Sequence, residues 1–93
     1  NLLLYGKANP VDAVSIYGRA IRSLHVKDGC YPTDGRHLGR EMPVGEGDVH
    51  FDRLIPALQA QGFTGPYIIE REIEGDQQRR DIIKARQVLE RYL

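Results

Sequence analysis

Apolar residues recur along this chain with two alternating periods, and the alternation predicts strands separated by helices. Leu2 to Tyr5 is a short apolar run ended by Gly6, compatible with the end of a buried strand or the top of a helix. Asn9-Pro10 then predicts a helix start, with Asn9 as N-cap, Pro10 in the first helical position and Asp12 near the positive terminus. Val11, Val14, Ile16 and Tyr17 are its apolar positions, and Gly18 predicts its stop. Ile21 to Lys27 switches to period two: Leu24 and Val26 point one way, Ser23, His25 and Lys27 the other. Asp28 to Gly47 has no period and holds five glycines and two prolines, which predicts a long functional loop. Phe51 to Gln61 is helical again, with Leu54, Ile55 and Leu58 as its buried stripe and Gly62 as its stop. Pro56 predicts a late or kinked start between Asp52 and Ile55, because proline cannot donate an intrahelical hydrogen bond. Gly65 to Glu70 reads as a second strand, with Tyr67 and Ile69 on one side and Ile68 and Glu70 on the other. Asp76 is the expected cap of a last helix, Gln77 to about Tyr92. Its expected apolar face is Ile82, Ala85, Leu89 and Leu93, flanked by Ile83 and Tyr92. Asp76–Arg80 and Arg86–Glu90 have ion-pair spacing on the opposite, solvated face.

Strands alternating with helices imply parallel βα units, an α/β fold. No Gly-x-Gly-x-x-Gly follows a strand, so a dinucleotide-binding fold has no support. His25, Lys27, Glu70 and both loops fall at the C-terminal ends of strands, where a (β/α)8 barrel carries its functional groups.

The 93 residues bound the chain to one domain, residues 1–93. Thirteen basic and thirteen acidic side chains cancel, leaving no global field to hold nucleic acid or an anionic membrane. No apolar run approaches the roughly 18 residues of a membrane span. A single cysteine, Cys30, cannot form an internal disulfide and fits a reducing, cytoplasmic compartment. The chain opens at Asn1, without an initiator Met and directly in an apolar run, which leads us to expect part of a longer protein.

The chemistry concentrates on His25 and Glu70. In adjacent parallel strands their backbones would lie about 4.8 Å apart. Parity puts both side chains on one face near the strand ends. An imidazole nitrogen and a carboxylate oxygen there suit one divalent metal at about 2.0–2.2 Å. Two ligands do not complete a site, and His37 and His50 lie in or beside the long loop, where exposure is expected. Other readings stay open: His25 as a satisfied core histidine, and Glu70 as the structural ion-pair partner of Lys27, since a carboxylate facing inward needs some partner. Arg71, Glu72 and Glu74 read as loop charges.

Three segments carry a family resemblance: His25-Val26-Lys27-Asp28, Gly39 to Phe51 (GREMPVGEGDVHF) and Gly62 to Glu72 (GFTGPYIIERE). They resemble the C-terminal part of the sugar phosphate isomerase/epimerase family, the xylose-isomerase-like TIM barrels. The resemblance implies the stretch from about the end of strand six through helix eight. It also implies one divalent metal (Mn²⁺, Mg²⁺, Co²⁺ or Zn²⁺) held by two glutamates, an aspartate and a histidine. His25 and Glu70 match two of those ligands, and the other two would lie upstream of Asn1. Glu70 would further act in acid/base catalysis, while Asn1, Lys27 and Arg40 match substrate-contacting positions. The implied partner is a small sugar or sugar phosphate. The implied reaction is metal-dependent isomerisation or epimerisation through an enediolate, with these 93 residues inactive alone. Such a piece is expected to associate with itself or with the missing N-terminal part. Two rivals stand beside it: an AP-endonuclease-like phosphodiesterase, disfavoured by the shortage of histidines at the strand ends, and a purely structural barrel piece.

Overall fold

The structure is a computed structural model that describes residues 1–93. Helix α1 (Pro10–Tyr17) starts as expected, with the Asn9 side chain accepting the Val11 N–H at 3.0 Å. Gly18 does not stop it in a left-handed conformation. Its φ is −53°, and the chain runs on through a 3-10 turn, Gly18–Ala20, before turning into strand β1 (Leu24–Val26). Only Ala13 and Val14 of α1 are buried, and Ile16 and Tyr17 lie exposed. The Leu2–Tyr5 run is neither strand nor helix. It is a turn in which the Tyr5 N–H donates to the Asn1 carbonyl at 3.0 Å, with Leu3 and Leu4 driven into the core.

β1 pairs in parallel with β4 (Tyr67–Ile69), register His25 to Ile68. The ladder extends past both strands, because Leu24 N–H donates to Pro66 and Glu70 N–H donates to Val26 at 2.9 Å. Helix α2 (Phe51–Ala60) lies between these strands in sequence, so the expected parallel β–α–β unit is present. Helix α3 (Asp76–Glu90) follows β4 and packs back on it.

The expected structureless loop is a correction. It holds an antiparallel hairpin, β2 (Asp28–Cys30) with β3 (Arg40–Met42), in which Gly29 pairs with Glu41. Its strands are three residues long and lack an alternating apolar face, so no period-two signal marks them. The Asp28 carboxylate organises it. Oδ1 accepts the Gly29 and Val49 N–H groups at 2.8 and 3.1 Å, and Oδ2 accepts those of Gly45 and Gly47 at 2.9 and 3.1 Å. One buried side chain thus satisfies backbone donors that would otherwise be stranded. Gly47 is required by this close approach. A Cβ there would lie 2.6 Å from the Gly29 backbone nitrogen. Gly47→Ala is expected to destabilise by about 1–3 kcal/mol in urea unfolding, the usual range for overpacking.

α2 starts at Phe51 and runs straight through Pro56, rather than starting late. Pro56 and Asp52 are both exposed, so water can satisfy the Asp52 carbonyl that the proline cannot serve. Phe51, Leu54, Ile55 and Leu58 form the buried stripe, and Gly62 at φ +83° ends the helix region. α3 begins one residue early, with Gly75 at the N-cap position and no side-chain cap. Its buried stripe is Asp81, Ala85 and Leu89, with Val88 and Tyr92 alongside, while Ile82, Ile83 and Leu93 are exposed. The buried side of α3 is centred on positions 81, 85 and 89, so Ile82, three residues before Ala85, falls at the edge of the stripe and is 37% exposed, and Ile83 falls outside it.

The core is one cluster in which Leu3, Val26, Ile55, Leu58, Ala85 and Leu89 meet beneath the β1–β4 pair. The molecule is a slab of 34 × 32 × 18 Å with only 18 of 93 residues buried, which leaves the His25–Ile68 face of the sheet open. No helix is long and apolar enough to cross a membrane.

Candidate functional site

β1 and β4 deliver His25 and Glu70 to the same end of the sheet. Glu70 lies one residue beyond the paired segment, so its side chain turns over His25, and His25 Nδ1 lies 3.5 Å from Glu70 Oε1. The histidine is open to solvent, with 58% side-chain exposure, against 32% for the glutamate. Glu70 Oε2 is buried and has no hydrogen-bond partner. A desolvated carboxylate oxygen with nothing to accept from is costly, and it marks the place where a cation or a donor would be bound most strongly. The pair therefore fits a divalent cation as two donors of a larger set. No third His, Cys, Asp or Glu of these residues joins them in a metal-holding group.

A cleft of about 200 Å³ opens beside the pair, lined by Asn1, His25, Lys27 and Glu70 on its polar side and by Leu24, Phe51 and Leu54 on its apolar side. Four of the five site residues expected from sequence therefore meet. Arg40 does not join them: it is exposed on β3, opposite Cys30, and does not line the cleft. His37 and His50 are exposed, as expected, and His37 pairs with Asp34 at 2.9 Å.

Lys27 does not pair with Glu70. Its ammonium sits 2.6 Å from Glu72 Oε1 and 3.4 Å from Glu41 Oε1, charge pairs by distance whose angles fall short of hydrogen bonds. Burial works to lower its pKa, but the Glu72 and Glu41 carboxylates outweigh burial, and the net shift is upward. A raised lysine pKa contributes stability that is present below the ordinary lysine range, about 10.4, and is lost as pH rises through the folded value. Unfolding midpoints should therefore fall above about pH 10.5 in the wild type. Lys27→Met is expected to flatten that alkaline fall in urea unfolding followed across pH.

Arg71 is not a free loop charge. Its side chain is 12% exposed, its Nε donates to Asp81 Oδ2 at 2.8 Å, and its Nη1 donates to Glu41 Oε2. Glu41 also accepts the Glu72 N–H at 3.1 Å, and Gln78 Nε2 donates to the Arg71 carbonyl at 2.9 Å. Burial opposes the charged guanidinium, while Asp81 and Glu41 favour it more strongly and raise its pKa. The Arg71 hydrogen bond, opposed by burial and assisted by Gln77, holds the Asp81 carboxyl below the usual carboxylate range. That contribution is present above about pH 4 and is lost as acid carries the pH down through the lowered value. Glu41, Arg71 and Asp81 were missed as a group because polar residues buried by one another leave no mark in a hydrophobic period. The only sequence hint is Asp81 at the spacing of Ala85 and Leu89.

A family profile described as Xylose isomerase-like TIM barrel matches residues 1–92. The chain belongs to the xylose isomerase-like TIM barrel family. It is similar to the L-ribulose-5-phosphate 3-epimerase UlaE of Shigella boydii serotype 18 and of Shigella sonnei. Identity to each is 34% over 70 residues, covering 71% of this chain and 22% of the relative. Among solved structures, the xylose isomerase domain protein from Planctomyces limnophilus matches with a TM-score of 0.90 and 36% identity, covering 99% of this chain and 34% of that one. The chain thus spans about a fifth of the curated relatives' length. At the level of family, the resemblance carried by the His25, Gly39–Phe51 and Gly62–Glu72 segments is borne out.

Proposed function

We propose that the complete protein carrying these residues is a sugar or sugar-phosphate isomerase/epimerase that moves a proton beside a carbonyl through an enediolate. The observation that carries this reading is Glu70. Its carboxylate is partly buried at a strand end, lies 3.5 Å from His25 and keeps one oxygen without a partner. Family membership and the similarity to an L-ribulose-5-phosphate 3-epimerase support the same reaction class.

His25 and Glu70 would hold a divalent cation together with ligands outside these 93 residues. Bound there, the cation supplies Lewis-acid stabilisation of the substrate oxygens that carry enediolate charge. Glu70 takes or returns the proton at the carbon next to the carbonyl, which needs a carboxylate within reach of that C–H. Asn1 lines the same cleft and would orient hydroxyl groups. Lys27 lines it with its ammonium held by Glu72 and Glu41, and would contact substrate only by exchanging those partners. Arg40 reaches the substrate only if the hairpin folds inward. In the same reading, residues 1–93 are the C-terminal part of the (β/α)8 barrel. The unpaired edges of β1 and β4 then pair with its other strands or with a second chain, since exposed edges invite pairing. The unpaired Cys30 of these residues suits a reducing compartment such as the cytoplasm.

The test is turnover of L-ribulose 5-phosphate and of unphosphorylated ketoses by the complete protein, before and after chelation of divalent metal. Turnover that chelation abolishes and Mn²⁺, Mg²⁺, Co²⁺ or Zn²⁺ restores is the expected result. Turnover insensitive to chelation, or none on any ketose, contradicts the reading.

A further inference from the structure

Arg71 follows Glu70 directly, and residues 71 and 72 are tied down by polar contacts to three other parts of the chain. Arg71 Nε reaches Asp81 on α3 at 2.8 Å, and Arg71 Nη1 reaches Glu41 on the hairpin. The Arg71 carbonyl accepts from Gln78 of α3 at 2.9 Å, and the Glu72 N–H donates to Glu41 at 3.1 Å. The Glu72 carboxylate lies 2.6 Å from Lys27, the residue two beyond His25. Glu70 itself has no such side-chain anchor: Oε2 is partnerless and Oε1 has only His25. Its backbone is held on one side by the Val26 carbonyl and on the other by whatever fixes residue 71.

We propose that Arg71 is a positioning residue for Glu70, a clamp that spans the β2–β3 hairpin and α3 and fixes the strand end on which the Glu70 carboxylate stands. The proposal rests on the reading that Glu70 is a metal ligand and proton carrier. A planar guanidinium with donors in a rigid fork bridges two carboxylates that lie apart; a lysine ammonium in its place carries the charge but cannot span both. Glu41 is the other half of the device, since it receives both the guanidinium and the Glu72 N–H. A pair left free to rotate loses the fixed separation that two-donor cation binding and proton transfer both require.

The test uses the complete protein and three variants. Arg71→Lys keeps the charge and removes the bridge. Glu41→Gln cuts the hairpin side and leaves Arg71–Asp81 intact. Val14→Ala, on α1 away from the strand ends, removes core volume and serves as the control for lost stability. We expect Arg71→Lys and Glu41→Gln to lower kcat about 10–100-fold and to weaken Mn²⁺ affinity by a similar factor, with KM changed less than about threefold. Val14→Ala, at a comparable loss in melting temperature, keeps kcat and Mn²⁺ affinity. If Arg71→Lys and Glu41→Gln match Val14→Ala in both readouts, the clamp acts on stability alone and the proposal falls; failure of both to fold overturns it in the same way. A wild type that neither binds Mn²⁺ nor turns over a ketose removes the underlying reading instead. A wild type active with both variants unaffected removes only the clamp.

Discussion

Asp28→Ala is expected to cost about 3–6 kcal/mol of unfolding free energy, from bonds to a charged group worth about 1.5–3 kcal/mol each. The carboxylate is 2% exposed and accepts four backbone N–H groups, from Gly29, Gly45, Gly47 and Val49. Alanine leaves those donors facing an empty, largely dry space. Water entering from the Gly45 and Gly47 side recovers part of the loss, which is why the figure stays below four full bonds. Against the roughly 5–15 kcal/mol that stabilise a typical domain, this is enough to unfold the hairpin region or the whole chain. Asp28→Asn is expected to be nearly as damaging, because an amide turns one acceptor into a donor aimed at other donors. Urea unfolding followed by circular dichroism reads the effect. An Asp28→Ala midpoint within about 1 kcal/mol of wild type removes the carboxylate from its role as organiser of the loop.

The second large effect is on activity. Glu70→Gln preserves volume and the strand, but it removes the negative charge and the proton-accepting capacity in one step. Positioned acid/base groups contribute about 10²–10⁴ in rate, so kcat of the complete protein should fall by at least the lower figure. Mn²⁺ affinity should fall with it, because an amide oxygen is a weaker donor than a carboxylate. The melting temperature should hold or rise, since one oxygen of the carboxylate is buried without a hydrogen-bond partner. A Glu70→Gln protein of wild-type kcat, measured with saturating metal, would falsify the assignment of Glu70 as the proton carrier.

How much of this was legible beforehand follows from what kind of force places each residue. Burial of apolar stripes places Leu54, Ile55 and Leu58 on α2, and that stripe is readable at three-to-four spacing. Parity along β1 and β4 puts His25 and Glu70 on one face, and their approach to 3.5 Å follows from it. Backbone chemistry at Asn9-Pro10 and Gly62 marks helix ends because capping and positive φ are local requirements. The hairpin was illegible because Asp28 holds it by hydrogen bonds to residues up to 21 positions away, which leaves no local pattern. Arg71, Glu41 and Asp81 hid for the same reason: each is polar, and each is buried only because the others are. Of the partners open to Glu70, Lys27 is not the one used: Glu41 and Glu72 hold the ammonium and leave Glu70 to His25.

The account rests on a proton moving at Glu70, and the most direct measurement is hydrogen exchange into substrate. The complete protein is incubated with L-ribulose 5-phosphate and Mn²⁺ in D₂O, and deuterium at the carbon next to the carbonyl is followed by proton NMR. The account predicts steady loss of that C–H signal with wild type and a rate at least about 10²-fold lower with Glu70→Gln at equal metal occupancy. Exchange that proceeds equally fast in both proteins, or epimer formed without any deuterium entering that carbon, contradicts it.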